Sequence, residues 1–118
     1  MIYHIASLED WRNALASGTY STCSLDSEEG FIHASFKDQV LWVANSLFAG
    51  QKGLVLLKIE QALLRAEVRL EAAPEGEHFP HIYGALNLDA VQAAWQFEPG
   101  PDGRFTWPDL GEEEGASC

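Results

Sequence analysis

Gly53-Leu54-Val55-Leu56-Leu57-Lys58-Ile59 is the stretch from which the fold can be read. It is apolar throughout except at Lys58 and opens on a glycine. A strand with one wet face alternates apolar and polar residues, and this one does not, so it reads as a central strand covered on both faces. The neighbouring segments must supply the cover. Upstream, Val40, Val43, Ala44, Leu47 and Phe48 fall at helical spacing and form one apolar face, with Gly50 as a stop. Ser35 is the expected N-cap of that helix, with Asp38 at the capping-box position. Phe31 to Ala34 reads as a short strand, and the Ser-, Thr-, Asp- and Gly-rich residues 19–30 as a loop. Further back, Leu8, Trp11, Ala14 and Leu15 predict a helix over 8–17, capped by Ser7 and stopped by Gly18. Ile2 to Ile5 predicts a first strand. Downstream, 60–66 reads as a helical turn, and Val68 to Ala72 alternates as a strand. Residues 73–80 read as a loop and His81-Ile82-Tyr83 as a brief strand stopped by Gly84. Residues 90–97 read as a strand. Arg104 to Trp107 is expected to add an edge strand ended by Pro108. The sum is an α+β domain, two helices packed on a bent, mostly antiparallel sheet.

Composition narrows the function classes. A chain of 118 residues, 47% hydrophobic and 21% charged, suits one domain with its own core. That domain is expected over 1–108, with 109–118 as an acidic, solubilising tail. The net charge of −11 argues against nucleic acid, which needs a basic face. It leaves room for one small anionic ligand met by a local pair such as Arg12 and Lys37. The first residues lack a basic, apolar leader, and no apolar run reaches the ~18 residues of a membrane span. Cys23 and terminal Cys118 are expected to be reduced, as in a cytoplasm.

Four histidines carry most of the available chemistry: His4, His33, His78 and His81. Three lie in or beside expected strands. With Ile5 and Ile32 in the core, alternation sends His4 and His33 to the opposite face. Ser35, at the start of a helix beside His33, would help form an anion-binding corner. Tyr83 shares a strand face with His81, and Glu71 offers a carboxylate partner to a histidine. His78-x-x-His81 with His33 could alternatively serve a metal, although Pro80 breaks the usual helical spacing. No Gly-x-Ser-x-Gly elbow, P-loop or Gly-x-Gly-x-x-Gly pattern is present.

Taken together, Ile2-Tyr3-His4-Ile5, Gly30-Phe31-Ile32-His33-Ala34-Ser35, Val43-Ala44-Asn45 and Phe79-Pro80-His81-Ile82-Tyr83-Gly84-Ala85-Leu86 resemble the bacterial family known as domain of unknown function 952. Ala85 departs from it where a proline often follows the glycine. The family's motif layout is similar to that of the ADP-ribosyltransferase-like superfamily, whose cleft takes nicotinamide adenine dinucleotide (NAD). The resemblance implies that His4 occupies the first-strand position, His33 with Ser35 the second, and His81 with Tyr83 the third. It further implies that His4 and His33 orient ribose or diphosphate, that Tyr83 stacks on nicotinamide, and that His81 polarises or deprotonates the acceptor. The histidine pair most resembles the RNA 2′-phosphotransferase branch, but that branch also uses several arginines, which are scarce here; the resemblance still leaves room for a small anionic nucleotide whose pyrophosphate Arg12, Lys37 or Arg69 would meet. A non-catalytic binding module and a histidine-based metal-dependent hydrolase are the alternatives.

Overall fold

In the computed structural model, which describes residues 1–20, 31–73 and 76–108, the apolar run is the central strand of its sheet. This strand, β4 (Leu54–Ile59), lies between β1 (Ile2–Ser7) and β8 (Val91–Phe97), antiparallel to both. Register runs from Ile2 opposite Ile59 to Ser7 opposite Leu54, and a bulge at Lys58/Ile59 shifts the pairing with β8. Leu54, Leu56 and Phe97 pack on one side with Val40 and Ala44, and Val55, Leu57 and Ile59 pack on the other with Ile2 and Ala6. Both faces of β4 are therefore dry, as its unbroken apolar sequence requires.

Helix α1 (Leu8–Ser17) begins as expected, with Ser7 Oγ accepting the Asp10 amide N–H at 3.0 Å. Gly18 closes it in the left-handed region, at a φ of 91°, and its N–H meets the Ala14 carbonyl. The chain then forms β2 (Thr19–Tyr20), where a loop was expected, and pairs it with β7 (Leu86–Asn87). A third ladder contains β3 (Ile32–His33), β6 (His78–Tyr83) and β5 (Glu67–Ala72), in the order β3-β6-β5. The single bent sheet expected from sequence is thus three antiparallel ladders. Tyr3 and Ser35 join the first to the third by exchanging backbone hydrogen bonds of 2.8 and 2.7 Å.

That bridge corrects the expected cap. Ser35 must stay extended to pair with Tyr3 and is buried, so it does not start a helix. A 3-10 turn follows at Lys37–Gln39, with Gln39 Oε1 accepting the Phe36 N–H at 2.9 Å. Helix α2 (Val40–Leu47) starts only after it, so no helix N-terminus stands beside His33. The expected edge strand at 104–107 is also absent. Asn45 takes the ladder's place, its amide donating to the Phe105 carbonyl at 3.2 Å and its oxygen accepting the Phe105 N–H at 2.7 Å. Phe105 is thereby held in the core against Phe97. The expected loop over 73–80 is shorter, since β6 already begins at His78. Cys23 and the tail over 109–118 lie outside the described residues.

Candidate functional site

The site grows out of alternation along β6. Pro80 and Ile82 turn into the core, so Phe79, His81 and Tyr83 share the other face. Antiparallel register sets His33 of β3 and Arg69 of β5 on either side of His81. Glu71, opposite Phe79, lies diagonally across from His81, a spacing that long side chains bridge. Its Oε1 accepts two hydrogen bonds, from His81 Nδ1 at 2.7 Å and from the Tyr83 hydroxyl at 2.6 Å. A carboxylate oxygen only accepts, so the His81 proton sits on Nδ1 and the neutral ring's other nitrogen, Nε2, carries a lone pair. The Tyr83 and His81 hydrogen bonds hold the Glu71 carboxyl below its usual range, and the Glu71 carboxylate pushes the Tyr83 phenol up.

Aromatic rings frame this pair. The His33 and His81 rings meet edge to face at 5.2 Å between centroids. Phe31 stacks on His81 at 4.1 Å and also touches His33 and Tyr83. The Arg69 guanidinium lies 4.4 Å over the Tyr83 ring and makes two hydrogen bonds with the Glu67 carboxylate, at 3.1 and 3.2 Å.

His4 is placed differently from the sequence expectation. Both faces of β1 are covered, and His4 shares its face with core residues Ile2 and Ala6, whereas Ile5 packs on the α2 side. Its ring spans two elements. Nδ1 is 2.5 Å from the His33 carbonyl oxygen, and Nε2 is 2.8 Å from the Tyr20 hydroxyl. The carbonyl can only accept, so Nδ1 is the donor and Nε2 accepts from Tyr20. Burial is the main cause that lowers the His4 pKa to about 4, which keeps the ring neutral at physiological pH. Tyr20, itself fully buried, carried no signal in the sequence; it stood in a Ser/Thr-rich segment and drew no attention.

These residues converge on a cleft of about 600 Å³. Its polar end holds His4, Asp10, Tyr20, His33, Ser35 and His81, and its apolar end is walled by Trp42, Val43, Leu47, Phe48 and Phe79. The structure thus brings together four of the five expected site residues. The fifth, Tyr83, does not line the cleft; it reaches His81 through Glu71. No lysine or arginine is among the described residues of the lining. Of the cations expected to meet a diphosphate, Arg69 is paired with Glu67, Lys37 lies over the Trp107 ring, and Arg12 is exposed on α1. The alternative metal set also disperses. His78 and His81, three apart on a strand, face opposite sides. Among the described residues no group of three or more side chains is placed to hold an ion. A second cavity of about 750 Å³, beside Asn45 and Phe105, is more open and contains no histidine.

No helix is long and apolar enough to cross a membrane. Among solved structures, the chain is similar to protein CC0527 from Caulobacter crescentus. The crystal structure of CC0527 is 33% identical, with 98% of each chain covered and a TM-score of 0.79. Its solution structure is 35% identical over 95% of this chain and 94% of that one, with a TM-score of 0.74. No curated protein matches. The model of a protein family of unknown function, DUF952, matches residues 5–94, which span β1 through most of β8 and include every histidine but His4. The chain belongs to the DUF952 family.

Proposed function

We propose that the cleft is the active site of a small-molecule transferase or hydrolase working by acid–base catalysis. The observation that carries this reading is the Glu71–His81 pair, a carboxylate fixing an imidazole tautomer, set beside a second histidine in a cleft. His81 Nε2 takes a proton from a substrate hydroxyl or from water, while Nδ1–H stays on Glu71, which stabilises the imidazolium that forms. His33 supplies or holds the second proton. His4 and Tyr20 act one step back: they anchor the backbone of β3 at His33 and so fix where its ring stands. Tyr83 steadies Glu71 rather than meeting the ligand.

The ADP-ribosyltransferase-like resemblance adds NAD as the first ligand to test. Its nicotinamide ring matches the aromatic setting around His81, and its ribose hydroxyls match His33 and Ser35. The test is a calorimetric titration of NAD and ADP-ribose, joined to chromatographic detection of released nicotinamide. Saturable binding weakened tenfold in His33→Ala, with turnover lost in His81→Ala, is the expected result. No binding at millimolar ligand would remove NAD and leave the acid–base reading to other substrates. The absence of lysine and arginine from the described lining favours a second reading, in which the same acid–base site takes a ligand without phosphates.

A further inference from the structure

The apolar end of the cleft points to the substrate class. Trp42 is 51% and Leu47 is 71% exposed, and both line the same cavity as His33 and His81. Large apolar side chains on a short helix ordinarily turn inward, as Val40 and Ala44 do here. Trp42 instead faces Phe79 across the wall, with ring centroids 6.4 Å apart. Val43 and Phe48 extend the surface along α2, and Leu54 and Ala73 continue it beyond the helix. Ser7, which stands opposite Leu54, and Gln51 are polar residues beside that surface, and Asp10 is the one carboxylate among the described lining residues. The cleft volume is that of a pocket for one small molecule rather than for a protein segment.

Resting on the acid–base reading of the histidine end, we infer that the substrate is an amphiphile: a polar head without negative charge meets His33 and His81, and an alkyl or aryl arm lies on Trp42, Leu47, Phe48 and Phe79. The head carries no negative charge because the polar end has no lysine or arginine for an anion among its described lining residues, and Asp10 adds a carboxylate to the lining. The arm is apolar because any polar group against this wall would give up water without a partner. Covering Trp42 and Leu47 is the source of affinity, and the histidine end sets orientation.

Primary alkylamides are suitable probes, since the head both donates and accepts and carries no charge. Acetamide, hexanamide and decanamide are titrated into the full chain and followed by tryptophan fluorescence and calorimetry. Affinity is expected to rise about fourfold per methylene. Trp42→Ala and Leu47→Ala, at exposed positions that leave folding intact, are expected to flatten that rise at least tenfold at decanamide. His81→Ala is expected to keep the chain-length dependence while lowering affinity for all three probes. Affinity independent of chain length, or a dependence unchanged in both α2 variants, overturns the inference. So does a second copy on the wall, seen as a dimer in light scattering that Trp42→Ala converts to monomer. Turnover that survives in His81→Ala, or a wild-type His81 proton on Nε2, would instead strike the acid–base reading, which these titrations do not measure.

Discussion

Replacing His4 by leucine removes a buried titratable group, and the cost should depend on pH. In the folded chain its pKa is lowered from 6.5 to about 4, chiefly by burial, while the unfolded chain keeps the ordinary value. The unfolded state therefore binds more protons in this window, and stability rises with pH. The neutral ring's contribution is fully present above pH 6.5 and is lost as pH falls toward 4. At about 1.4 kcal/mol for each pH step, the loss is about 2 kcal/mol by pH 5 and about 3 kcal/mol by pH 4. Other acids titrate over the same range, so the informative quantity is the difference between wild type and variant. Urea unfolding at pH 7.5, 6, 5 and 4 gives it. His4→Leu should be strongly destabilised at pH 7.5, where the Tyr20 hydroxyl and the His33 carbonyl lose partners at about 1–3 kcal/mol each. The gap should then narrow by about 2 kcal/mol at pH 5. A gap constant from pH 7.5 to 5 would show that His4 titrates normally and would refute its placement as a buried neutral strut.

Tyr20→Phe should cost about 1–3 kcal/mol by leaving His4 Nε2 buried without a donor, readable in the same unfolding experiment. Glu71→Gln should release the His81 tautomer, because an amide can donate as well as accept, and imidazole-nitrogen NMR would show both ring nitrogens partly protonated. Tyr83→Phe should raise the Glu71 pKa toward the ordinary carboxylate range in a carboxyl NMR titration, since the Tyr83 hydrogen bond is the main cause that lowers it; an unchanged value would mean that the hydroxyl does not hold the carboxylate. Gly84→Ala should destabilise the fold by about 1–3 kcal/mol in thermal unfolding, because a φ of 152° suits glycine and an added Cβ would stand 2.9 Å from the Ala66 Cβ.

Much of the fold was legible because its signals were local. The dry run at 54–59, the Ser7 cap and Gly18 stop of α1, and the alternation in β5 and β8 each depend on residues near in sequence. What failed depended on distant partners. Ser35 has the composition of a cap, but Tyr3, thirty-two residues away, claims its backbone. Phe105 looked like part of an edge strand, but the Asn45 side chain satisfies its backbone without one. The site divides in the same way. Histidine scarcity and strand alternation pointed to His33 and His81, and Glu71 could be named as a carboxylate partner. That it would reach His81 followed only from the register of β5 on β6. Tyr20 could not be found, since it gains its meaning from a two-residue ladder with Leu86 and from His4. His4 stands opposite Ile5 as alternation requires, but alternation does not show that both faces of β1 are covered, so its burial among Ile2 and Ala6 was not legible.

The central claim is that Glu71 fixes His81 as a base toward the cleft, and nitrogen-detected NMR of the histidine rings at pH 8 tests it most directly. The account predicts that His81 carries its proton on Nδ1, with Nε2 unprotonated, and that Glu71→Gln weakens this preference. A His81 ring protonated on Nε2 in the wild-type protein would leave no base facing the cleft and would contradict the account.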